Sequence, residues 1–447
     1  MKKVKNRALA ALIIAALVVA GVGVYIVKFA VSGDKWAAFA SNQTVYKSGV
    51  LSVGTLVDRE GTVLSTVSDG GRVFADNADV RRATLHVVGD ATGNIGTGAL
   101  TAFAPKLIGY DIINGAYSRK GTGKQLKLTI DAELNLVAYN ALAGRHGAVA
   151  VFNYETGEIF CMVSAPTYDP QNPPEISDDD PAYEGVYLNR AISAVYTPGS
   201  TYKLLTAAAA IEEIDDIFDR RFECEGNVKF ADGTITCPKA HGGLTFEDAL
   251  AVSCNCAFAQ ISLELGAKTL SSYAAKYGLT ERTAIDGLKT ARGRFDEAEP
   301  DSADLAWSGI GQYNDTVCPA AMLRFMGAIA NGGVAVDMEI IGRRGLAALG
   351  SPGSTRIMKK ETAEKLGNMM NYNVHHTYGT DSFPGLDICA KSGTAEVGGG
   401  KEPHSWFVGY LDNAVHPLAF VVIVENGGSG TAVAGVVANK VLQAAVS

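Results

Sequence analysis

The pattern of hydrophobic and polar positions changes several times along the chain, and each change predicts a different kind of element. Residues 8–27 are uncharged and predominantly apolar, and as a helix they span roughly 30 Å, the thickness of the hydrocarbon core of a bilayer. Short β-like runs broken by Gly and Asp follow up to residue 124, including a hairpin pattern over residues 55–64. Longer helical and strand patterns begin at residue 125 and predict a larger domain.

The larger domain combines early strands, a mostly helical middle and late strands. A helix over residues 132–143 is expected to follow Asp131, whose side chain can cap it. The middle is predicted to be helical from Ser200 to about residue 331. Strands are predicted over residues 147–153, 158–163, 387–392, 405–411 and 417–425, and a closing helix over residues 431–445. This order predicts an α/β (α+β) fold: one antiparallel five-stranded sheet flanked by helices, with an all-helical insert.

The apolar run near the N-terminus is preceded by a short basic segment. Its cations are Lys2, Lys3, Lys5 and Arg7. Because basic flanks stay on the cytoplasmic side of a membrane, residues 1–7 are predicted to form a cytoplasmic tail and residues 8–28 a single transmembrane helix. The rest of the chain is then extracytoplasmic. A cleaved signal peptide is the alternative, but its apolar core is usually about 7–15 residues long.

Composition agrees with a globular protein of two to three domains on this tether. The 447 residues are 47% hydrophobic and 19% charged, with a formal net charge of −8. No basic stripe occurs beyond the N-terminus, so nucleic acid is not an expected partner. After the tail and the helix, the predicted domains are a smaller β-rich pedestal over residues 29–124 and the larger domain over residues 125–447.

The cysteines predict a disulfide rather than a metal site. There are seven of them, so at least one is unpaired, and Cys224 and Cys237 flank a turn-like segment that makes them the expected pair. No metal is expected, because neither a Cys-x-x-Cys nor a His-Glu-x-x-His pattern occurs and the adjacent His375 and His376 are interpreted as a surface pair. No cofactor is expected either. Cys254 and Cys256 are interpreted as packing residues.

A candidate nucleophile and base stand one helical turn apart at Ser200 and Lys203. The sequence after a Pro-Gly pair becomes rich in Ala and Leu, so a helix is expected to open at about Ser200. Side chains three residues apart on a helix lie roughly 5–6 Å apart at Cβ, which lets the amine reach the hydroxyl. The alternative is a serine at a helix start and a solvent-facing lysine. The same spacing recurs at Ser32 and Lys35, but that copy is predicted to lie in a Gly/Asp loop with no helical run behind it.

Two further motifs follow in a fixed order. Ser253 and Asn255 lie between helical runs about fifty residues after Ser200, where a loop can aim a hydroxyl and an amide at the nucleophile. A predicted late strand ends with a cation, two hydroxyls and a glycine that lets a substrate backbone approach: Lys391-Ser392-Gly393-Thr394. Each motif alone has a structural explanation, such as a helix cap or a strand residue chosen for β propensity. The evidence for a catalytic site is therefore the order and spacing of the three motifs, not any one of them alone.

Together the three motifs match the set found in penicillin-binding proteins and serine β-lactamases. More of the chain resembles class B penicillin-binding proteins, from about residue 50 to the end and most strongly from residue 125. The matching segments include Asp58-Arg59-Glu60-Gly61, Leu128-Thr129-Ile130-Asp131, Asn189-Arg190-Ala191, Tyr196-Thr197-Pro198-Gly199-Ser200, Ile310-Gly311-Gln312 and Trp406-Phe407-Val408-Gly409-Tyr410.

This resemblance implies a D,D-transpeptidase over residues 125–447 that cross-links peptidoglycan stem peptides ending in D-Ala-D-Ala. It implies an acyl-enzyme on Ser200, with Lys203 as base and Lys391 as the nearby cation. By the same resemblance, Ser253 and Asn255 relay the proton and hold the substrate amide, and a terminal carboxylate is bound by a group of strand residues, Lys391, Ser392 and Thr394. The backbone N–H groups of Ser200 and Thr394 are the expected oxyanion hole, and β-lactams are the expected covalent inhibitors.

Other classes use parts of the same machinery. A membrane-anchored serine β-lactamase has the same nucleophile but must hydrolyse its acyl-enzyme, and the segment Asp131-Ala132-Glu133-Leu134-Asn135 superficially resembles a deacylating motif yet precedes Ser200. A β-lactam sensor and a non-catalytic cell-wall scaffold are further alternatives. A D,D-carboxypeptidase side activity is compatible with the same site. Residues 29–124 are too few for a glycosyltransferase domain, so a separate glycosyltransferase is a candidate partner.

Overall fold

The computed structural model describes residues 2–39, 41–110, 122–177, 179–343 and 350–447. It begins with one long helix, α1 (Lys2–Ala37). The segment Lys2–Gly33 of this helix is long and apolar enough to cross a membrane, and residues 2–28 are exposed to the surroundings of the protein. The C-terminal end of α1 packs on α4, where Ala37 is buried. An apolar helix of this length is what the N-terminal pattern predicts for a single-pass anchor.

The chain after α1 forms a small mixed module. Its elements are β1 (Tyr46–Lys47), β2 (Val50–Leu51), β3 (Thr55–Val57), β4 (Val63–Ser68), β5 (Gly71–Phe74), α2 (Ala78–Val88), α3 (Ala99–Ala102), α4 (Ala104–Ile108) and β6 (Gln125–Lys127). The hairpin predicted over residues 55–64 is confirmed, since β3 and β4 pair antiparallel. The sheet order is β5-β4-β3-β6, with β6 parallel to β3. Residues 125–127, predicted to begin the larger domain, therefore complete the sheet of the smaller module.

The remaining chain builds a three-layered structure around a second sheet. Its early and middle elements are α5 (Ala132–Leu142), β7 (Gly147–Asn153), β8 (Ile159–Ala165), α6 (Arg190–Ser193), α7 (Lys203–Glu213), β9 (Phe222–Cys224), β10 (Asn227–Lys229), β11 (Thr234–Thr236), β12 (Gly242–Leu244), α8 (Phe246–Ala251), α9 (Asn255–Leu265), α10 (Ala267–Lys276), β13 (Ala284–Ile285), β14 (Leu288–Lys289) and α11 (Ala303–Ser308). The later elements are α12 (Pro319–Ala330), β15 (Val334–Val336), β16 (Ser354–Arg356), α13 (Lys360–Asn373), β17 (Ile388–Ala395), β18 (His404–Leu411), β19 (Leu418–Val424) and α14 (Val436–Ala445).

The predicted five-stranded antiparallel sheet is confirmed. Its order is β17-β18-β19-β7-β8, so the early and late strands meet between β7 and β19. One face carries α5 and α14, and the opposite face packs on α12, with α13 against the edge strand β17. Both faces of the central strands are covered, which explains why β7 and β19 read as continuous apolar runs instead of alternating ones. The predicted cap of α5 is also confirmed, because Asp131 accepts a hydrogen bond from the Leu134 N–H.

The sequence predicts an all-helical insert between the two groups of strands, and this prediction is wrong in part. Four short strands, β9 to β12, occupy residues 222–244 as two small antiparallel pairs. Runs of three residues are too short to show a clear period in the sequence, and the polar residues of this segment hide the strands further. This strand-rich part of the insert lies directly before α8 and α9.

A buried carboxylate joins the smaller module to the sheet domain. Asp58, at the end of β3, accepts hydrogen bonds from the N–H groups of Glu60 and Thr62 at 2.9 and 2.8 Å, and from the N–H of Ala132 at the start of α5 at 3.2 Å. The neighbouring Arg59 guanidinium stacks over the Phe160 ring of β8. The Asp-Arg pair after the anchor therefore fixes the two parts of the protein against each other.

Replacing Asp58 by alanine is expected to leave three backbone N–H groups without their acceptor and to destabilise the protein by about 1–3 kcal/mol. Urea unfolding of the detergent-solubilised chain, followed by tryptophan fluorescence, measures the change. Glu60→Ala is the matched control, because the Glu60 side chain is 73% exposed and its loss is expected to have little effect. Equal urea midpoints for the two variants would show that the carboxylate has no such role.

Candidate active site

Ser200 lies in a 3-10 turn, Gly199–Tyr202, that leads directly into α7. The sequence predicts a helix opening at about Ser200, and the regular α-helix begins three residues later at Lys203. The turn is held from within by the Thr201 hydroxyl, which donates to the Pro198 carbonyl at 2.8 Å. Ser200 is partly exposed, whereas Lys203 is completely buried. The serine hydroxyl is therefore accessible while the amine one turn along is shielded from water.

The Lys203 amine makes four close polar contacts. It lies 3.1 Å from the Ser200 Oγ and 3.1 Å from the Ser253 Oγ. It also donates to the Ser253 carbonyl at 2.7 Å and to the Asn255 Oδ1 at 2.6 Å. The last two oxygens only accept hydrogen bonds, so they take both hydrogens of a neutral amine. One of the two hydroxyls can then donate to the single lone pair of the amine, and this contact set is compatible with a neutral lysine.

A second buried lysine approaches the same hydroxyl from the sheet. Lys391 of β17 is 1% exposed, and its amine lies 3.1 Å from the Ser253 Oγ and 2.8 Å from the Ser392 carbonyl. The Ser253 hydroxyl thus stands between two amines, one from α7 and one from the edge of the sheet. Residues far apart in the chain are brought into one hydrogen-bonded chain from Ser200 to Lys391.

Burial decides the charge of these lysines. It lowers the pKa of Lys203 to about 7. Burial, reinforced by the positive charge of Lys203, lowers the pKa of Lys391 well below its usual range. Two ammonium groups sharing one hydroxyl away from solvent repel each other. The site therefore favours one neutral and one protonated lysine near neutral pH.

The loop that carries Ser253 and Asn255 connects α8 to α9. Ser253 has a φ of 54°, a left-handed conformation that reverses the chain between the two helices and turns its side chain and carbonyl toward Lys203. Asn255 begins α9. Its amide nitrogen donates to the Thr236 carbonyl at 2.7 Å, which leaves Oδ1 to face the lysine. The predicted loop between helices is confirmed.

Strand β17 forms one edge of the five-stranded sheet and lies beside the Ser200 turn. Ser392 and Thr394 line the same cleft as Ser200. Gly393 has a different role from the one its motif suggests: a Cβ there would lie 2.8 Å from the Thr201 side chain and 3.1 Å from the Pro198 carbonyl. The missing side chain lets the Ser200 turn approach the strand, rather than a substrate backbone.

The cleft in front of these residues has a volume of about 760 Å³. Its walls come from the edge strand, the Ser253 loop, the β11–β12 segment and α11 with the residues that follow it. The lining residues include Ser200, Ser253, Asn255, Ser392, Thr394, Thr236, Cys237, Asp304, Trp307, Gln312, Tyr313 and Glu396. A half-open cleft with polar groups at its base and aromatic walls suits an extended peptide ligand.

Tyr378 is a site residue that the sequence analysis misses. Its hydroxyl donates to the Ser392 Oγ at 2.9 Å and accepts from the Ser392 N–H at 2.7 Å. It therefore fixes both the backbone and the side chain of a residue that faces the cleft. No motif marks this tyrosine, since it reaches β17 from the π-helical turn Val374–Tyr378, and only the packing of that turn reveals the contact.

The expected Cys224–Cys237 disulfide is wrong. The seven cysteines all lie in the described part of the chain, and each is a free thiol. Cys224 instead lies 3.4 Å from the His241 Nδ1, while the Cys237 sulfur lies 3.8 Å from that of Cys254. His375 and His376 are exposed, as their interpretation as a surface pair predicts.

A serine whose hydroxyl contacts a buried lysine one turn along, beside the edge strand of an antiparallel sheet, defines the class of serine acyl-transfer enzymes that includes penicillin-binding proteins and serine β-lactamases. The model of the penicillin binding protein transpeptidase domain matches residues 147–443. The chain therefore belongs to this family.

Relatives and solved structures agree with this assignment. The peptidoglycan D,D-transpeptidase PbpA of Mycobacterium tuberculosis is 28% identical over 385 residues, which cover 76% of each protein. The structure of penicillin-binding protein A from M. tuberculosis as a ceftriaxone acyl-enzyme complex has a TM-score of 0.76 and 25% identity, covering 88% of this chain and 98% of that one. The D,D-transpeptidase domain of a peptidoglycan glycosyltransferase from Eggerthella lenta has a TM-score of 0.74 and 27% identity with the same coverage.

Replacing Tyr378 by phenylalanine is expected to slow the reaction with a fluorescent penicillin by about tenfold, because the Ser392 N–H loses its partner and the strand residue loses its orientation. Stopped-flow labelling of the purified chain measures the rate. Tyr372→Phe is the matched control: the Tyr372 hydroxyl donates to Asp248, away from the cleft. Equal acylation rates for both variants would remove Tyr378 from the site.

Proposed function

We propose that this protein is a penicillin-sensitive D,D-transpeptidase, which cross-links peptidoglycan stem peptides through an acyl-enzyme on Ser200. The observation that carries the proposal is the hydrogen-bonded chain of Ser200, Lys203, Ser253 and Lys391 at the base of a cleft beside an edge strand. The family assignment and the names of the relatives support the same reaction class.

In the first half of the reaction, the Ser200 Oγ attacks the carbonyl carbon of the penultimate D-Ala. Neutral Lys203 takes the hydroxyl proton, and the carbonyl oxygen becomes an oxyanion. The Ser253 hydroxyl passes a proton to the leaving amine and is reprotonated from the lysines, which its contacts with both amines allow. The C–N bond breaks, the terminal D-Ala departs, and an ester links the peptide to Ser200.

In the second half, an amine of a neighbouring stem peptide attacks the ester carbon. The new amide bond forms, the ester C–O bond breaks, and the proton from the amine returns to Ser200 through the same lysine. A β-lactam follows only the first half, because its ring-opened product stays attached and leaves no free path for the acceptor amine.

Substrate binding is assigned to the edge strand. A free sheet edge can pair with an extended peptide, and Ser392 and Thr394 offer hydroxyls on the cleft side. Lys391 supplies the positive charge for the terminal carboxylate. The N–H groups of Ser200 and Thr394 form the oxyanion hole, since a Cβ on Gly199 would lie 2.9 Å from the Thr394 carbonyl and the two backbones are therefore adjacent. Gly393 makes this approach possible.

The orientation of the membrane anchor determines on which side of the membrane the reaction takes place. With the basic tail in the cytoplasm, α1 crosses the membrane once and residues 29–447 lie outside, where peptidoglycan is assembled. The module before residue 125 then acts as a pedestal for the transpeptidase domain. A separate membrane glycosyltransferase is the partner that would supply the uncross-linked strands.

The β-lactamase alternative is less favoured by the packing of its candidate motif. Asn135, in the segment that superficially resembles a deacylating motif, is buried in structural contacts. Its amide donates to the carbonyls of Asp131 and Phe160 and accepts from the Met162 N–H. Asp131 caps α5. This segment therefore serves the fold rather than a hydrolytic water at Ser200.

Labelling with a fluorescent penicillin is expected to modify the wild-type protein and fail completely with Ser200→Ala. Lys203→Ala is expected to acylate about 10²–10⁴ times more slowly, the usual contribution of a general base. Gel fluorescence gives the extent of labelling, and mass spectrometry of the digested protein locates the adduct.

Ser32→Ala is the matched control, because Ser32 and Lys35 form the other Ser-x-x-Lys pair of the chain. The loop predicted for this pair is wrong, since both residues lie in α1, far along the chain from the cleft residues. It is expected to label like the wild type. An adduct on another residue would contradict the assigned nucleophile, and release of the adduct within seconds would favour a β-lactamase.

The acylation rate is expected to rise with pH and to level off above about 7. The Lys203 pKa of about 7 means that the neutral base predominates only above this pH. Below it, the rate should fall about tenfold per pH unit as the amine becomes protonated. Pre-steady-state acylation measured from pH 5 to pH 9 gives the profile. A rate that stays constant down to pH 5 would contradict Lys203 as the general base.

A further inference from the structure

Beside the proposed active site lies a compact group of sulfur and imidazole ligands, the Cys/His cluster, formed by Cys224, Cys237, His241 and Cys254. Their ligand atoms all lie within 4.8 Å of one another. Cys224 ends β9 and Cys237 follows β11. His241 precedes β12, and Cys254 precedes α9. The four side chains thus come from four separate segments of the chain, so no short sequence motif predicts the cluster.

Two of the six distances between ligand atoms of the cluster match those around a tetrahedral metal, and all six are within 4.8 Å. Zinc binds thiolates at about 2.3 Å and imidazole nitrogens at about 2.0–2.1 Å, so in a tetrahedron two sulfurs lie about 3.8 Å apart and a sulfur and a nitrogen about 3.5 Å apart. The Cys237 and Cys254 sulfurs are 3.8 Å apart, and Cys224 Sγ lies 3.4 Å from His241 Nδ1. A disulfide would need about 2.05 Å between sulfurs.

The surroundings also suit thiolates. The Cys237 sulfur accepts hydrogen bonds from the N–H groups of Asn255 and Cys256 at 3.1 and 3.4 Å, and the Cys254 sulfur accepts from the Ala257 N–H at 3.4 Å. These donors are the first N–H groups of α9, an eleven-residue helix whose N-terminus favours negative charge. Hydrogen bonds of this kind orient and stabilise metal-bound ligands.

We propose that Cys224, Cys237, His241 and Cys254 bind one zinc ion that anchors the Ser253 loop to the β9–β12 segment. Three thiolates and one imidazole in a tetrahedral arrangement select zinc over hard cations such as magnesium or calcium. Binding converts three thiols into thiolates and releases their three protons to solvent. The sequence-based expectation of no metal is thereby replaced.

The site has a structural reason to exist. The strands β9 to β12 are only three residues long and largely exposed, so their own packing holds them weakly. Yet this segment provides the Thr236 carbonyl that orients Asn255, and Cys254 stands between Ser253 and Asn255 in the chain. A metal bound at the cluster would fix both the β9–β12 segment, which carries Thr236, and the loop that carries Asn255. The role of the metal in positioning Asn255 for catalysis rests on the proposed function, whereas metal binding itself does not.

The test uses the full chain purified in detergent without chelators. Inductively coupled plasma mass spectrometry is expected to find about one zinc per chain. Cobalt exchanged into the protein is expected to show the visible bands of tetrahedral cobalt and a thiolate-to-cobalt charge-transfer band. Cys224→Ser and His241→Ala should lose the zinc, whereas Cys161→Ala, which removes a buried thiol of β8, should retain it.

Three results would overturn the proposal: wild-type protein that binds no zinc after incubation with the metal, unchanged zinc content in both ligand variants, or a mapped Cys237–Cys254 disulfide in the native protein. Since a ligand variant can fail to fold, zinc release from the wild type by a thiol-specific mercurial provides a second measurement. The positioning role is tested separately. Zinc removal should slow penicillin acylation at least tenfold and zinc should restore it, while Ser200→Ala should keep its zinc and remain unreactive.

Discussion

The proposed active site depends on two lysine amines that are buried on either side of a single hydroxyl. Lys203 and Lys391 both lie 3.1 Å from the Ser253 Oγ, and neither has access to bulk water. Burial penalises each charge, and each charge penalises the other. Near neutral pH this arrangement favours one lysine as a base and the other as a cation, and acyl transfer from a carboxylate-terminated peptide uses both.

The fold brings these groups together by close backbone approach. The Ser200 turn rests against β17 because both Gly199 and Gly393 lack side chains at the contact. A Cβ at Gly199 would lie 2.9 Å from the Thr394 carbonyl, and one at Gly393 would lie 2.8 Å from Thr201. The proposed nucleophile, the proposed cation and the hydroxyls proposed to bind substrate are thus held on two rigid elements, a helix start and a sheet edge, rather than on independent loops.

The elements with strong patterns were predictable from the sequence. The apolar run of α1, the strands of the central sheet and the Asp131 cap all follow from periodicity and local chemistry. The motifs around Ser200, Ser253 and Lys391 did predict which segments meet, since the structure joins them in one hydrogen-bonded chain.

What the sequence did not predict depends on tertiary contacts. The three-residue strands β9 to β12 are too short to show a period, so the insert was expected to be all helical. Tyr378 reaches Ser392 only through the packing of its own turn. The turn between Cys224 and Cys237 predicts a disulfide, whereas the fold brings His241 and Cys254 to the same point, with all four ligand atoms within 4.8 Å of one another. The role of Gly393 likewise depends on which neighbour faces it.

The central claim is that Lys203 is neutral at the pH at which the enzyme works. A direct measurement is a ¹³C NMR titration of the chain labelled at lysine Cε, with the Lys203 resonance assigned by its absence from Lys203→Met. This resonance is expected to titrate near pH 7, because burial lowers the pKa of Lys203 to about 7, well below that of an ordinary lysine. A Lys203 resonance that stays in the protonated position up to pH 9 would contradict it.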